Sequence, residues 1–212
     1  MVCGSPDGVL GDSGSWIFNG KSVDRVSEYK YVGVMVNEGG TWDSHGRFLK
    51  EKAISKTREI QYFLGRHWDI SARVKVEVWR SLVLSVMKYG SEVWYLNKVP
   101  ARDLEAVQLG MLKSVLRINR STTDEFVRGE VGRLELERER DISMLVWMGR
   151  ILKMGTGRWA RRVWSVEWQV IKKGSRSWKW KAQDLVAKYG LLNELRRMED
   201  GTLEGSWKAA VK

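Results

Sequence analysis

The fold class is decided by Tyr29-Lys30-Tyr31-Val32-Gly33-Val34-Met35-Val36, then Glu38-Gly39-Gly40, then a helical stretch from Trp42 that carries Leu49, Ala53, Ile60 and Leu64. Tyr29 to Val36 is rich in β-branched and aromatic residues and reads as a β-rich run, ended by the glycines. From Trp42 the apolar residues return at 3.6-type spacing, and Phe63 joins the same set. Upstream, Trp16-Ile17-Phe18 and Lys21 to Val26 flank Asn19-Gly20. Asn-Gly between short apolar segments is a strong hairpin signal, because both turn residues tolerate positive φ. Residues 1–40 therefore read as a small antiparallel β element.

Everything downstream reads as helix. Val74, Val78, Leu82, Val86 and Tyr89 form a second stripe, stopped by Gly90. Pro100 opens a helix bearing Leu104, Val107, Met111, Val115 and Ile118. Ser121 to Glu125 is a capping cluster for a short helix that ends near Gly129 or Gly132. A long helix runs from about Leu134 to Met154, and Gly155-Thr156-Gly157 breaks it. Trp159, Val163, Val166 and Val170 make a further helical face, on which Trp159 reads as core; Gly174 to Ser177 is a loop. Leu185 to Met198 is helical with a break at Gly190. The expected fold is mainly α: the β element followed by a bundle of about six helices.

The chain has 212 residues, 43% hydrophobic and 30% charged. That composition is globular, and a chain of this length buries roughly 70% of its unfolded surface without staples. Cys3 is the only cysteine and His45 and His67 the only histidines, which rules out an intrachain disulfide and a zinc finger. No apolar run is long enough to span a membrane and no signal peptide is visible, so an intracellular location is expected. The net charge of +11 is uneven: residues 151–181 hold nine Lys or Arg against Glu167 alone. Such a segment suggests a polyanion, above all nucleic acid. There Trp159, Trp164, Trp168, Trp178 and Trp180 alternate with Arg158, Arg161, Arg162, Lys172, Lys173, Arg176, Lys179 and Lys181. Cations neutralise phosphates and indoles stack on bases. The bland reading of the same residues is a solvated cationic face over core tryptophans.

Catalytic motifs fail one by one. Gly11-Asp12-Ser13-Gly14 has the look of a serine-protease nucleophile box, yet both histidines follow it, against chymotrypsin order. Gly20-Lys21-Ser22 ends like a phosphate loop, but position 15 is Ser and the site falls on a hairpin turn. The chain has no adjacent aspartates and no Asp-x-Asp, so the clustered carboxylates of two-metal phosphoryl transfer are missing. No metal, cofactor or small-molecule substrate is expected.

Several boxes, in order, resemble the C-terminal part of LINE-type (non-LTR) retrotransposon reverse transcriptases. Tyr29-Lys30-Tyr31-Val32-Gly33-Val34 is similar to their YKYLGV segment. Ser85 to Trp94, with Tyr89-Gly90-Ser91-Glu92-Val93-Trp94, resembles their Y-G-x-E-x-W helix, and Leu104 to Ile118 the segment that follows. Val146 to Met154 resembles l-x-W-x-G-H-v-x-R-M, with Arg150 in place of His and Lys153 in place of Arg. Ser177-Trp178 to Gly190-Leu191, and finally Gly205-Ser206-Trp207-Lys208, resemble the later boxes.

The resemblance implies the end of a palm, a primer-grip hairpin around Tyr31 to Val34, thumb helices and a tail. The Asp-Asp palm site would lie ahead of Met1, so the chain would carry no polymerase chemistry. The implied regions are 1–40 (hairpin element), 41–154 (thumb-like helices) and 155–212 (basic, Trp-rich tail). The implied partner is a template–primer of RNA or DNA, read without sequence preference. Its contacts would be Lys30, Tyr31 and Gly33 on the hairpin and Arg158, Arg161, Arg162, Lys172, Lys173, Arg176, Trp178, Lys179 and Lys181 in the tail. The rival expectation is a helical interaction or scaffold module with no nucleic-acid role.

Overall fold

The computed structural model describes residues 16–24, 26–67, 69–170, 177–200, 202 and 206–211, with Trp16 and 166–170 as backbone only. Cys3 and the Gly11-Asp12-Ser13-Gly14 box lie outside the described residues. The fold is mainly helical behind two small β-hairpins, as expected. It divides into two compact units, 1–89 with 96–132, and 90–95 with 133–212. The division after Gly132 thus falls inside the stretch read from sequence as one helical region, 41–154.

In the first unit, β1 (Trp16–Phe18) pairs antiparallel with β2 (Lys21–Val23). Asn19 and Gly20 take φ of 49° and 75°, the positive values the Asn-Gly turn requires. The β-rich run from Tyr29 to Val36 forms a hairpin, at the place where the resemblance implies one. It folds into β3 (Glu28–Tyr31) and β4 (Val34–Asn37), paired Tyr29 to Val36 and Tyr31 to Val34. The turn residues are Val32, at φ 46°, and Gly33, at φ 84°. A β-branched residue at positive φ is a local strain that pattern reading does not anticipate. Gly33 has a second reason to lack a side chain: a Cβ there would stand 3.0 Å from the Tyr89 ring.

The helices of this unit are α1 (Asp43–Gly65), α2 (Ala72–Trp79), a π-helical turn (Arg80–Leu84), α3 (Ser85–Lys88), α4 (Lys98–Leu116) and α5 (Asp124–Val131). The α1 stripe behaves as its period demands, with Leu49, Ala53, Ile60 and Leu64 buried. Phe63 departs from it and is exposed. The second stripe is displaced. Val74, Leu82 and Tyr89 face solvent, while Val76, Trp79, Val83 and Met87 are buried. Both sets are apolar at helical spacing, so period alone cannot choose between them; packing on α1 and α4, and the extra residue of the π turn, select the second. The Trp79 indole N–H donates to Thr57 Oγ1 at 3.0 Å inside this core.

The β3–β4 hairpin docks on the start of α1 through one face only. Successive strand residues point to opposite faces. Glu28, Lys30, Met35 and Asn37 face α1: Ser44 Oγ donates to Glu28, and Asn37 exchanges hydrogen bonds with Thr41 at 2.9 Å each. The Met35 N–H donates to Nδ1 of fully buried His45 at 3.2 Å. That bond requires a neutral imidazole, and burial lowers its pKa from 6.5 to about 4.

The second unit holds α6 (Leu136–Leu152), α7 (Trp159–Val170), α8 (Trp178–Lys188), α9 (Leu192–Glu199) and α10 (Trp207–Val211), with residues 90–95. Gly190, at φ 69°, separates α8 from α9 where the sequence reads one broken helix. Ser177 caps α8 by accepting the Trp180 N–H. The core gathers Met144, Leu145, Met148, Ile151, Trp164, Leu185, Val186 and Trp207. Two indoles close it: Trp207 Nε1 donates to the Leu145 carbonyl at 2.8 Å, and Trp178 Nε1 to the Glu92 carbonyl at 2.7 Å. Trp94, buried, has the Arg140 guanidinium over its ring at 5.8 Å.

Gly149 admits the Trp207 ring to α6. A Cβ at this position would stand 2.1 Å from Trp207 Cδ1. Gly149→Ala is expected to cost about 1–3 kcal/mol by overpacking, read by urea unfolding, and Gly149→Ala with Trp207→Leu to recover part of it. An unchanged midpoint for Gly149→Ala would disprove this contact. For His45 the direction follows from its lowered pKa. Above pH 6.5 the ring is neutral whether folded or not, and stability is full. Between 6.5 and about 4 only the unfolded chain takes the proton, so stability falls with pH, by up to about 1.4 kcal/mol per unit. His45→Asn, which keeps an acceptor for the Met35 N–H, should flatten that part of the stability profile; an unaltered slope would assign it to other groups.

Candidate nucleic-acid interface

Two surfaces gather the residues singled out in the sequence, one in each unit. On the first, the outward face of the β3–β4 hairpin carries Tyr29 and Tyr31, the latter 67% exposed. Their cross-strand partners Val36 and Val34 lie beside them on the same face and are half-buried. On the opposite face, the exposed Lys30 sets its ammonium 5.1 Å from the centre of the Phe48 ring on α1. Lys52, one turn further along α1, sets its own 4.8 Å from the same centre. Two ammonium groups thus converge on one ring and lie no more than about 10 Å apart by these distances.

Among the described residues neither lysine has a carboxylate at ion-pair distance. Glu28, the acid nearest in the hairpin, is engaged by Ser44 and by Arg47, whose guanidinium is 3.5 Å away. A pair of cations held on an aromatic ring without acid partners leaves a local excess of positive charge for a phosphate to neutralise. Lys30 was anticipated from the hairpin. Lys52 was not: its i, i+4 relation to Phe48 is visible in sequence, but the convergence of the two lysines depends on how the hairpin lies on α1.

On the second surface the sequence expectations fare unevenly. Arg158 and Arg162 are exposed on or beside α7, and Arg161 is half-buried. Trp159, read from its stripe as core, is 75% exposed, with the Arg162 guanidinium 4.8 Å from its ring centre. Trp164 is buried in its place, because Ala160 and Trp164 and not Trp159 and Val163 form the inward stripe. Lys179 is 2% exposed, its ammonium donating to the Trp164 carbonyl beneath that indole and so withdrawn from any phosphate. Trp178 packs edge-on against Trp164 at 6.0 Å with its N–H spent on Glu92, so it serves the core and not a base. Lys181 is half-buried and 3.5 Å from Asp184. Lys172, Lys173 and Arg176 lie outside the described residues.

Beside Arg161 an open cleft of about 300 Å³ is lined by Thr156, Arg161, Trp164, Ser165 and Glu199. In the first unit a more apolar cleft of about 430 Å³ lies along Val74, Val78 and Leu82, bordered by Arg73, Glu77 and Ser81. No helix among the described residues is long and apolar enough to cross a membrane.

No protein-family model matches the chain, and no solved structure matches it. Among curated proteins, the retrovirus-related Pol polyprotein from type-1 retrotransposable element R1 of Bradysia coprophila is 26% identical over 77 residues. The match takes in 36% of this chain and 8% of that polyprotein, so the chain corresponds to a small part of its length. The likeness supports a retrotransposon-related origin for the chain.

Proposed function

We propose that the chain is the non-catalytic, template–primer-holding part of a LINE-type retrotransposon reverse transcriptase. The hairpin and α1 hold the nucleic-acid backbone through Lys30 and Lys52, with Tyr31 and the Val32-Gly33 turn at its edge. Arg158, Arg161 and Arg162, with Lys172, Lys173 and Arg176, supply further positive charge to the nucleic acid. The observation that carries this reading is the convergence on Phe48 of two lysines that have no acid partner among the described residues, beside exposed tyrosines. The R1 likeness and the order of the resembling boxes support the same assignment. A lysine pair binds phosphate as two point charges, which gives affinity without sequence preference.

The scaffold reading is favoured by a different observation, the exposed Val74 and Leu82 along their apolar cleft. Salt titration separates the two. Binding of a fluorescent 20-base-pair RNA–DNA hybrid should weaken linearly in log K against log salt. Lys30→Ala with Lys52→Ala should flatten that slope by up to about 1.8, roughly 0.9 for each lost phosphate contact. The pair is exposed, so the variant's melting temperature should stay close to the parent's. The same protein, given metal and nucleotides, should extend no primer. A folded protein that ignores the hybrid at low salt would replace this reading with the scaffold; primer extension would refute its non-catalytic part.

A further inference from the structure

The exposed indole on α7 has no role in the core, and its surroundings are unlike those of an ordinary surface residue. At 100° per residue, the inward side of α7 is marked by Ala160 and Trp164. The outward band then runs from Val163 and Trp159 across Arg162 and Arg158 to Ser165 and Arg161, where the helix meets the Thr156–Glu199 cleft. Trp159, Arg162 and Val163 are i, i+3 and i+4 neighbours on one surface. One face of the indole is taken by the Arg162 guanidinium, and the ring is still three-quarters exposed. Among the described residues, none of Arg158, Arg161 and Arg162 has a carboxylate at ion-pair distance.

An open apolar plate next to three guanidinium groups with no acid partner among the described residues does not suit a protein partner's apolar patch, which would bury these charges unpaired. It does not suit duplex either, whose bases are already stacked on each other. It suits a single strand, where a base offers a free π-face and its flanking phosphates offer the charges. We propose that α7 is a single-strand platform: an unpaired base stacks on Trp159, the adjoining phosphates lie on Arg162 and Arg158, and the strand leaves across the helix toward Arg161 and the cleft. This rests on the nucleic-acid reading above and assigns to its α7 arginines a different substrate form. The hairpin and α1 take the backbone of a paired region; α7 takes an unpaired stretch.

The test uses the full chain and two probes, a fluorescent 20-nucleotide oligouridylate and a blunt 20-base-pair hybrid, each titrated at several salt concentrations. Trp159→Ala should weaken oligouridylate binding about 5- to 150-fold, the range of base–aromatic stacking, with no change of salt slope and no loss on the hybrid. Trp159→Tyr should restore most of the binding. Arg158→Ala with Arg162→Ala should instead flatten the single-strand slope by up to about 1.4, at roughly 0.7 per phosphate. Melting temperatures should be unmoved, since these side chains pack against nothing in the core. The platform is overturned if Trp159→Ala binds oligouridylate as the parent does, or if it weakens both probes equally. If the parent binds the hybrid and not the oligouridylate, the platform alone falls; if it binds neither, the nucleic-acid reading falls with it.

Discussion

Indole rings whose N–H groups must find an oxygen inside the protein set the terms for the rest of this structure. A buried indole contributes a large apolar area but brings one donor that is costly to leave unpaired. Trp79 spends its donor on Thr57, Trp178 on the Glu92 carbonyl and Trp207 on the Leu145 carbonyl. The last two span 86 and 62 residues of sequence and so tie the ends of the second unit to its middle. For Trp207 to reach its carbonyl the ring must lie flat on α6, and only a residue without Cβ at position 149 permits that approach. One glycine and one indole therefore determine where the C-terminal helix sits. The segment 90–95 belongs to the second unit for the same reason: Trp94 is buried there and Glu92 accepts the Trp178 donor.

Features governed by local chemistry were legible in the sequence. The Asn19-Gly20 turn, the α1 stripe from Leu49 to Leu64, and the stops at Gly132 and Gly190 all depend on φ preferences or on a single clear period. What failed was the choice between two apolar stripes on one helix. From Val74 to Tyr89 both stripes are apolar, and on α7 Trp159 and Val163 compete with Ala160 and Trp164. In each case the tertiary partner decided, and the partner is not written in the local period. The β3–β4 turn was legible only through the resemblance, which implies a hairpin around Tyr31 to Val34. Val32 ordinarily avoids positive φ, so the run of β-formers does not itself mark the reversal that the Tyr89 ring and the docking of Met35 on His45 hold in place.

The candidate surfaces show the same limit from the other side. Interleaved Trp and Lys between positions 158 and 181 read as one basic, aromatic tract, yet the fold separates it into residues with opposite duties. Lys179 and Trp178 are drawn inward, the lysine because its ammonium finds a carbonyl under Trp164. Trp159 and Arg162 are turned outward. Composition measured the charge of this segment correctly and could not say which cations remain available. Lys52 was missed for the complementary reason: it lies in a helix with mixed charge, and only the hairpin brings Lys30 to the same Phe48 ring.

This sorting bears on what the resemblance to retrotransposon proteins can carry. Gly149 and Trp207 come from two of the resembling boxes, Glu92, Trp94 and Trp178 from two others, and the structure joins these residues to one another. They are packing partners within the second unit. The candidate contact residues divide: Lys30 and Tyr31 lie inside the first box, whereas Lys52, Phe48, Trp159 and Arg162 lie outside the boxes altogether. A fold can be kept by its internal contacts while its exposed cations change freely, since a surface charge costs little to alter and a buried indole costs much. Nucleic-acid binding thus depends on these exposed side chains, because the buried residues of the boxes would be needed equally by a binder and by a scaffold.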